Sequence, residues 1–520
     1  MIFQNPVLRG MYPDPSMCYA NGKFYMVCSS FQYFPGVPLF ESSDLINWKQ
    51  IGHCLTRKSQ LLLPDNDTGA GIYAPTIRFN NGRFYMVVTN VSNIGNFYVY
   101  TDDIYGHWSE PVLVEQNGID PSLFFDDDGK VYFISNGNDA DGRGFIQMSQ
   151  IDISNGKKLS DNQPLWYGTG GRYIEAPHMY KFGDYYYLLN AEGGTEYGHM
   201  VNYARSKKIE GPYEPCPANP ILTNRNLGGY QLQGAGHGDI VQAPDGSWWF
   251  CHLAFRQIDK YMPFHHLGRE TCMEPLVWDD EGWFYIGSKN VTAQETLCKL
   301  PVANGYNQKM GYGRALLQVE CPKEFDNHKF EKQNFNFTQT FENLSTKLDW
   351  AYLCNYDPSK YELNSDSFVL HAGDKTIDCK KGSPTFIGIR QKEFNQEIQV
   401  NCNFSGQGQT GLTIYMDPNH HYDLYLEEID SKFYAVNKVK IGPAQEIKAK
   451  LELKNPQAQL KIIANPYAYD FYANGEFLAS ADTRYLSSEV ACGFCGVFIA
   501  FFAQNGACGT FTEFKSEHRE

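Results

Sequence analysis

Basic charge is scarce in this chain, and that scarcity removes one class of partner. Lys and Arg number 44 against 59 Asp and Glu, a formal charge of -15. Binding a polyanion requires clustered cations, so nucleic acid is not the expected ligand. Long hydrophobic runs are absent too: nowhere do 18 apolar residues follow one another, so no membrane-spanning helix is predicted. The opening residues, MIFQNPVLRGMYPDPS, have no basic stretch, apolar core or small-residue cleavage site, so no secretion signal is read there. The 14 cysteines run from Cys18 to Cys508 without repeated spacing, which argues for reduced thiols over a disulfide framework. Together these predict a cytoplasmic protein. Oligomeric state leaves no readable mark. Helical periodicity is also hard to find in the first 300 residues.

What is present is aromatic and strand-forming. Tyr and Phe number 35 each, side chains that pack sheets and also offer flat faces with polar tips to sugars. One pattern occurs five times, a glycine turn followed by an aromatic, β-branched run: Gly22-Lys-Phe-Tyr-Met-Val, Gly82-Arg-Phe-Tyr-Met-Val, Gly129-Lys-Val-Tyr-Phe-Ile, Gly183-Asp-Tyr-Tyr-Tyr-Leu and Gly246-Ser-Trp-Trp-Phe-Cys. Successive glycines lie 60, 47, 54 and 63 residues apart, the length of four short strands with connections, which is one propeller blade. A second echo, Ser43 to Trp48, Thr101 to Trp108 and Ser206 to Tyr213, reads as outer hairpins ending in an aromatic. The predicted fold is all-β: a five-bladed β-propeller over residues 1–300, a connector over 301–327, and a β-sandwich over 328–520, where short alternating strands continue without the repeat.

Eight or nine residues before each repeat glycine stand Asp14, Ala74, Asp120, Glu175 and His237. Asp–Pro and Ala–Pro are turn chemistry, which would account for any one of these positions. Four ionisable side chains at matching places in five repeats ask for more, because the first strands of propeller blades line one axis and crowded carboxylates are costly. Glycosidic cleavage uses such a set. One carboxylic acid protonates the leaving oxygen, a carboxylate works from the other side of the sugar, and a third acid raises the pKa of the first. His237 is placed to hydrogen-bond a catalytic carboxylate.

At these residues the chain resembles glycoside hydrolase family 43, inverting pentosidases built on a five-bladed propeller. The segments that carry the resemblance are Asn5 to Ser16, Ser30 to Gly36, Glu175 to Tyr180, Ala191 to Thr195 and Leu267 to Glu270. The closing segment Gly493 to Gln504 is similar to the C-terminal domain of the β-xylosidase-like branch. The resemblance implies that Asp14 is the general base, Asp120 the modulator of the acid's pKa and Glu175 the general acid. It implies that Arg269 binds sugar hydroxyls and that Phe31 and Tyr73 wall the terminal-sugar pocket. The chemistry requires no cofactor. Some relatives hold a calcium ion near the axial histidine, which extends to His237, although one imidazole is a poor ligand for a cation that prefers oxygen. Where β-xylosidases of this group read Trp-Ala-Pro-Asp, this chain has Tyr73-Ala-Pro-Thr-Ile-Arg78, closer to the arabinofuranosidase branch. The expected activity is exo-acting release of α-L-arabinofuranose from short arabinoxylan-type oligosaccharides, with β-D-xylosidase activity as companion or alternative.

Two other readings compete: a retaining fructan-type hydrolase, whose nucleophile motif differs from Pro-Asp-Pro-Ser, and a non-catalytic sugar-binding propeller, which has no need of an acidic ring. Gly406-Gln-Gly-Gln-Thr-Gly411 spells a dinucleotide fingerprint but joins two strand-like runs with no helix, so it reads as a turn. Cys492-Gly-Phe-Cys495 has redox spacing with no second pair, and reads as structural cysteines in a buried strand. Phe498, flanked by the glycines nearby, is a candidate to reach over the pocket rim.

Overall fold

The computed structural model describes residues 1–64, 67–287, 313–342 and 348–520. Its first half consists of five successive four-stranded antiparallel sheets, which begin at Ser16–Ala20, Ile72–Asn80, Ser122–Phe125, Glu175–Phe182 and Leu232–Gln242. Each first strand lies beside the first strand of the next sheet, and the fifth lies beside the first, so the set closes on itself.

The repeat glycines supply the turn between first and second strands. Asn21 and Gly22 both have positive φ (51° and 84°), as do Asn81 and Gly82 (50° and 83°). This is the two-residue turn that matches strand twist, and glycine relieves it of Cβ strain. The second strands are continuous apolar runs because both of their faces are covered. Phe84 to Asn90 is buried at every residue, with Met86 and Val88 in one inter-sheet cluster and Val87 in the next. Burying each such side chain stabilises by about 1.5–3 kcal/mol. The second echo falls between third and fourth strands, where the hydroxyls of Ser42, Thr101 and Ser206 accept from the backbone N–H of Asp44, Asp103 and Lys208.

The second half is a two-sheet sandwich, one sheet of eight strands and one of six. Strand Asn395–Gly406 alternates buried and less buried residues, as a sheet with one covered face requires. Gln409–Asp417 and Phe498–Gln504, in the six-stranded sheet, are buried almost throughout, because the other face of that sheet rests on the first domain. Tyr33 stacks on Phe498 at 3.9 Å, and Tyr33–Phe34 pairs with Tyr352–Leu353. A buried ionic chain joins the two halves elsewhere: Arg9 to Glu393 (2.7 Å), Glu393 to Arg256 (3.1 Å) and Arg256 to Glu270 (2.7 Å).

The boundary expected at residue 300, and the connector as far as 312, lie outside the described residues. The later part of that connector is more than a linker, since Gln318–Glu320 pairs antiparallel with Ile2–Gln4. Gly406 to Gln409 turns one sandwich strand into the next, in agreement with the reading of its glycine pattern as a turn.

Candidate active site

Where the five first strands begin, each chain segment carries one residue in the left-handed region: Asp14 (φ 56°), Ala74 (25°), Asp120 (54°), Ala176 (54°) and His237 (48°). The structural equivalence therefore differs from the sequence spacing in the fourth sheet, where Ala176, not Glu175, matches Asp14. The register irregularity between Glu175 and His178 brings Glu175 in from the preceding position, and the cavity that results is lined by Asp14, Asp120, Glu175 and His237 together. Left-handed backbone at non-glycine residues is costly and concentrates at functional sites.

Asp14 is buried at the floor of the cavity. Its carboxylate accepts from Ser29 Oγ (2.5 Å) and Arg269 Nη1 (3.0 Å), and His237 Nδ1 stands 3.7 Å away. Ser29 Oγ in turn accepts from the Ala74 backbone N–H at 2.7 Å, which fixes the hydroxyl. Burial pushes the Asp14 pKa up, but the Arg269 guanidinium, His237 and the Ser29 hydrogen bond outweigh it and hold the carboxyl below its usual range. Asp120 accepts from the Ala176 N–H (3.2 Å) and lies 4.0 Å from His237 Nδ1. Burial, the Glu175 carboxyl and Asp14 push its pKa well up. Glu175, less deeply placed, is raised to about 7 by burial and Asp14, against the opposing pull of Arg269. One carboxylate is thus kept ionised, while the other two compete to hold a proton. His237 is lowered by burial, and His199, which lines the same cavity, is lowered to about 3 by burial. Both imidazoles are neutral near pH 7.

The wall is aromatic. Phe31 meets Tyr73 edge-on at 5.7 Å, and their backbones are joined by the reciprocal Phe31–Ile72 hydrogen bonds, each 3.0 Å. Gly71 is required beside them, because a Cβ there would fall 2.2 Å from the Phe31 carbonyl oxygen. The second domain completes the wall with Phe494, 5.6 Å from Phe31 and 6.0 Å from Tyr73. Arg269 sits among these rings, 5.5 Å from Phe31 and 5.4 Å from Phe494. It donates to Thr195 Oγ1 (2.7 Å) and to the Phe494 carbonyl (3.3 Å). The cavity measures about 470 Å³, and Ser488, Cys492, Gly493 and Phe494 bring the sandwich to its edge.

All seven residues singled out from the sequence line this cavity. Two neighbouring expectations need correction. Phe498 does not reach the rim, being fully buried against Tyr33 within a strand; Phe494, in the loop before it, does. Cys492 is no buried strand residue. It follows the short helix Ser488–Ala491 with φ 60° and is exposed at the cavity edge, while Cys495 is buried. Arg78 shares a motif with Tyr73 but points away from the cavity, into an ion pair with Asp239 (2.7 Å) beside His178 (2.9 Å). Thr195, His199, Tyr173 and the 488–494 segment are site residues that the sequence reading does not single out, although Thr195 closes the Ala191 to Thr195 segment and Cys492, Gly493 and Phe494 fall in Cys492 to Cys495 and Gly493 to Gln504. The residues around His237 do not suit a calcium ion. Of the carboxylates around its ring, Asp14 is already paired with Arg269 and Asp239 with Arg78, which leaves few oxygen ligands for that cation. Among the described residues no group of three or more His, Cys, Asp or Glu is arranged to hold a metal.

Comparison with known proteins bears on this geometry directly. Residues 3–284 match the family model described as glycosyl hydrolases family 43, and residues 338–516 match that of the β-xylosidase C-terminal concanavalin A-like domain. A non-reducing end α-L-arabinofuranosidase of Bacteroides ovatus is 36% identical over 98% of this chain and 92% of its own. A xylosidase/arabinosidase of Butyrivibrio fibrisolvens is 37% identical over 85% of this chain and 82% of its own. Among solved structures, a Bacteroides ovatus protein described as xyloglucan PUL GH43B superposes with a TM-score of 0.86 at 34% identity, and a xylan β-1,4-xylosidase from Bacillus halodurans with 0.86 at 28%, each covering 100% of both chains.

Proposed function

Since the chain belongs to family 43 of the glycosyl hydrolases and is thereby an exo-acting glycoside hydrolase, we propose that it releases terminal α-L-arabinofuranose from short arabinoxylan-type oligosaccharides by inversion, with β-D-xylosidase activity as a secondary property. Neither the fructan-type hydrolase nor the non-catalytic lectin fits that family. The five sheets are read as the blades of a five-bladed propeller, with the cavity at one end of its axis.

The observation that carries the mechanism is the division of charge among three carboxyls in one small cavity. Asp14, kept ionised by Arg269 and Ser29, takes a proton from the attacking water. Glu175, kept protonated near neutral pH, donates to the leaving glycosidic oxygen. Asp120 shares the proton balance with Glu175 and, held by the Ala176 N–H, orients it. After each cycle Asp14 has gained a proton and Glu175 has lost one, and exchange with water restores both. Arg269, fixed by Thr195 and the Phe494 carbonyl, meets the sugar hydroxyls while Phe31, Tyr73 and Phe494 pack the ring. No step calls for a cofactor. The scatter of the 14 cysteines along the sequence without repeated spacing supports a cytoplasmic site of action.

The arabinofuranose preference rests on Tyr73-Ala-Pro-Thr and on the relative of matching length from Bacteroides ovatus. It is tested by the ratio of kcat/KM for aryl α-L-arabinofuranoside and aryl β-D-xyloside on one preparation. A ratio well above one is expected, and a ratio well below one would make xylose the preferred sugar. Appearance of the inverted anomer first, followed by NMR, is expected for either sugar; retention would overturn the role given to Asp14.

A further inference from the structure

Beyond the sugar that is released, something must hold the sugar that leaves. The loop from Gly168 to Ile174 carries Tyr173, an aromatic residue 62% exposed at the cavity mouth and held in the left-handed region at φ 53°. The loop is firmly anchored. Buried Glu192, from the second strand of the fourth sheet, accepts from the Thr169 N–H (2.9 Å), the Thr169 hydroxyl (3.0 Å) and the Gly171 N–H (2.8 Å). The Arg172 carbonyl accepts from the Gly193 N–H at 2.8 Å, and Arg172 Nε donates back to the Gly193 carbonyl at 3.1 Å. Arg172 lies 5.3 Å from the Tyr173 ring centre and forms an ion pair with Glu196, another residue of the cavity lining. Gly194 leaves just enough room, since a Cβ there would come within 3.3 Å of both Arg172 and Tyr173.

An exposed ring gains nothing for folding from a strained backbone and a braced loop. A ring that must present one face to a ligand does, because the ordering cost is met before binding. We propose that Tyr173, flanked by Arg172 and Glu196, is the subsite for the leaving-group sugar, a neutral pyranose of the oligosaccharide backbone. The apolar face of that pyranose lies on the ring, and its hydroxyls meet the guanidinium and carboxylate. The placement follows from the chemistry: Glu175 protonates the leaving oxygen, and Tyr173 stands two residues before it, at the end of the loop that leads into its strand. This rests on the assignment of Glu175 as general acid.

The test compares Tyr173→Ala and Tyr173→Phe on two substrates of the accepted pentose, an oligosaccharide and the glycosyl fluoride, whose leaving group has no sugar to bind. Tyr173→Ala should lower kcat/KM on the oligosaccharide about tenfold, mainly through KM, since stacking of this kind contributes about that factor. It should leave the fluoride within about twofold, and Tyr173→Phe should behave as wild type on both. Equal losses on both substrates would mean that the loop shapes the terminal-sugar pocket, a loss on the oligosaccharide carried by kcat with a displaced alkaline limb would mean that the loop merely supports Glu175, and an unchanged oligosaccharide rate would mean that the ring binds nothing. Each of these outcomes overturns the subsite. Wild-type enzyme inactive on arabinosyl and xylosyl substrates alike would instead overturn the activity on which the subsite depends.

Discussion

Replacement of Glu175 by Gln tests the charge division most directly. An ordinary glutamic acid titrates near 4.5, and burial with the Asp14 carboxylate alongside raises Glu175 to about 7. At pH 7 the protonated fraction therefore rises from roughly one in 300 to about one half, a gain on the order of 150-fold in the form that can donate. Two consequences follow for wild type. The kcat/KM profile should fall with a limb near pH 7 on the alkaline side, because that limb reports the acid of the free enzyme. Glu175→Gln should abolish the limb and lower kcat/KM on an oligosaccharide by roughly 10²–10⁴, equivalent to about 3–5 kcal/mol of transition-state stabilisation. The loss should nearly vanish for an aryl glycoside whose phenol leaves without protonation. The assay is the pH dependence of kcat/KM for wild type and variant on both substrates. An alkaline limb that survives in Glu175→Gln, or a loss of equal size on both leaving groups, would refute the assignment. Stability supplies an independent sign. A carboxyl raised by folding destabilises the fold as pH climbs from about 4.5 through 7, because the unfolded chain ionises first. The gain in Tm from Glu175→Gln should accordingly be larger at pH 8 than at pH 4.5.

Arg78→Ala should lower stability by about 3–5 kcal/mol, seen in thermal unfolding, because it strands the buried carboxylate of Asp239. Tyr180 and Ser16 would still donate to it at 2.5 and 2.6 Å. Asp239 is held far below the usual carboxylate range by Arg78 despite burial. The contribution is thus present above about pH 4 and fades as pH falls below it, so the deficit of the variant should narrow in acid; a deficit independent of pH would contradict the pairing. Cys492, the exposed cysteine among the described residues, should be the first thiol to react with a bulky maleimide. The label at the cavity edge should slow hydrolysis, and Cys492→Ser should be resistant; full activity in a labelled enzyme would place the 488–494 segment away from the substrate path.

The repeat was legible because it is local. Gly22, Gly82, Gly129, Gly183 and Gly246 mark turns whose backbone demands are met within two residues, and the runs after them are apolar because each second strand is covered on both faces. Asp14, Asp120 and His237 were found by the same arithmetic. Glu175 was found too, although its offset was misjudged: the irregularity that shifts it one place from Asp14 is a matter of strand pairing with Ala191, which no spacing reveals. The sequence points to Phe498 as the rim residue, but Phe494 lies four positions earlier in the same glycine- and aromatic-rich segment. Only the stacking of Phe498 on Tyr33, more than 400 positions earlier in the chain, decides which ring is core and which is wall.

From its residues alone the chain determined that it would be built of β-strands, that the first 300 residues would repeat five times, and that acids would gather where the repeats begin. Those are consequences of side-chain patterning and turn chemistry over short distances. The tertiary structure decided which acid is ionised and which keeps its proton, because that depends on Arg269 reaching Asp14 and on burial shared with Glu175 and Asp120. It decided also that the second domain closes the cavity with Phe494, and that Tyr173 stands at the mouth on a loop braced by Glu192. Each of these rests on contacts between groups far apart in sequence, where the field at a carboxyl or the position of a ring is set by the fold as a whole.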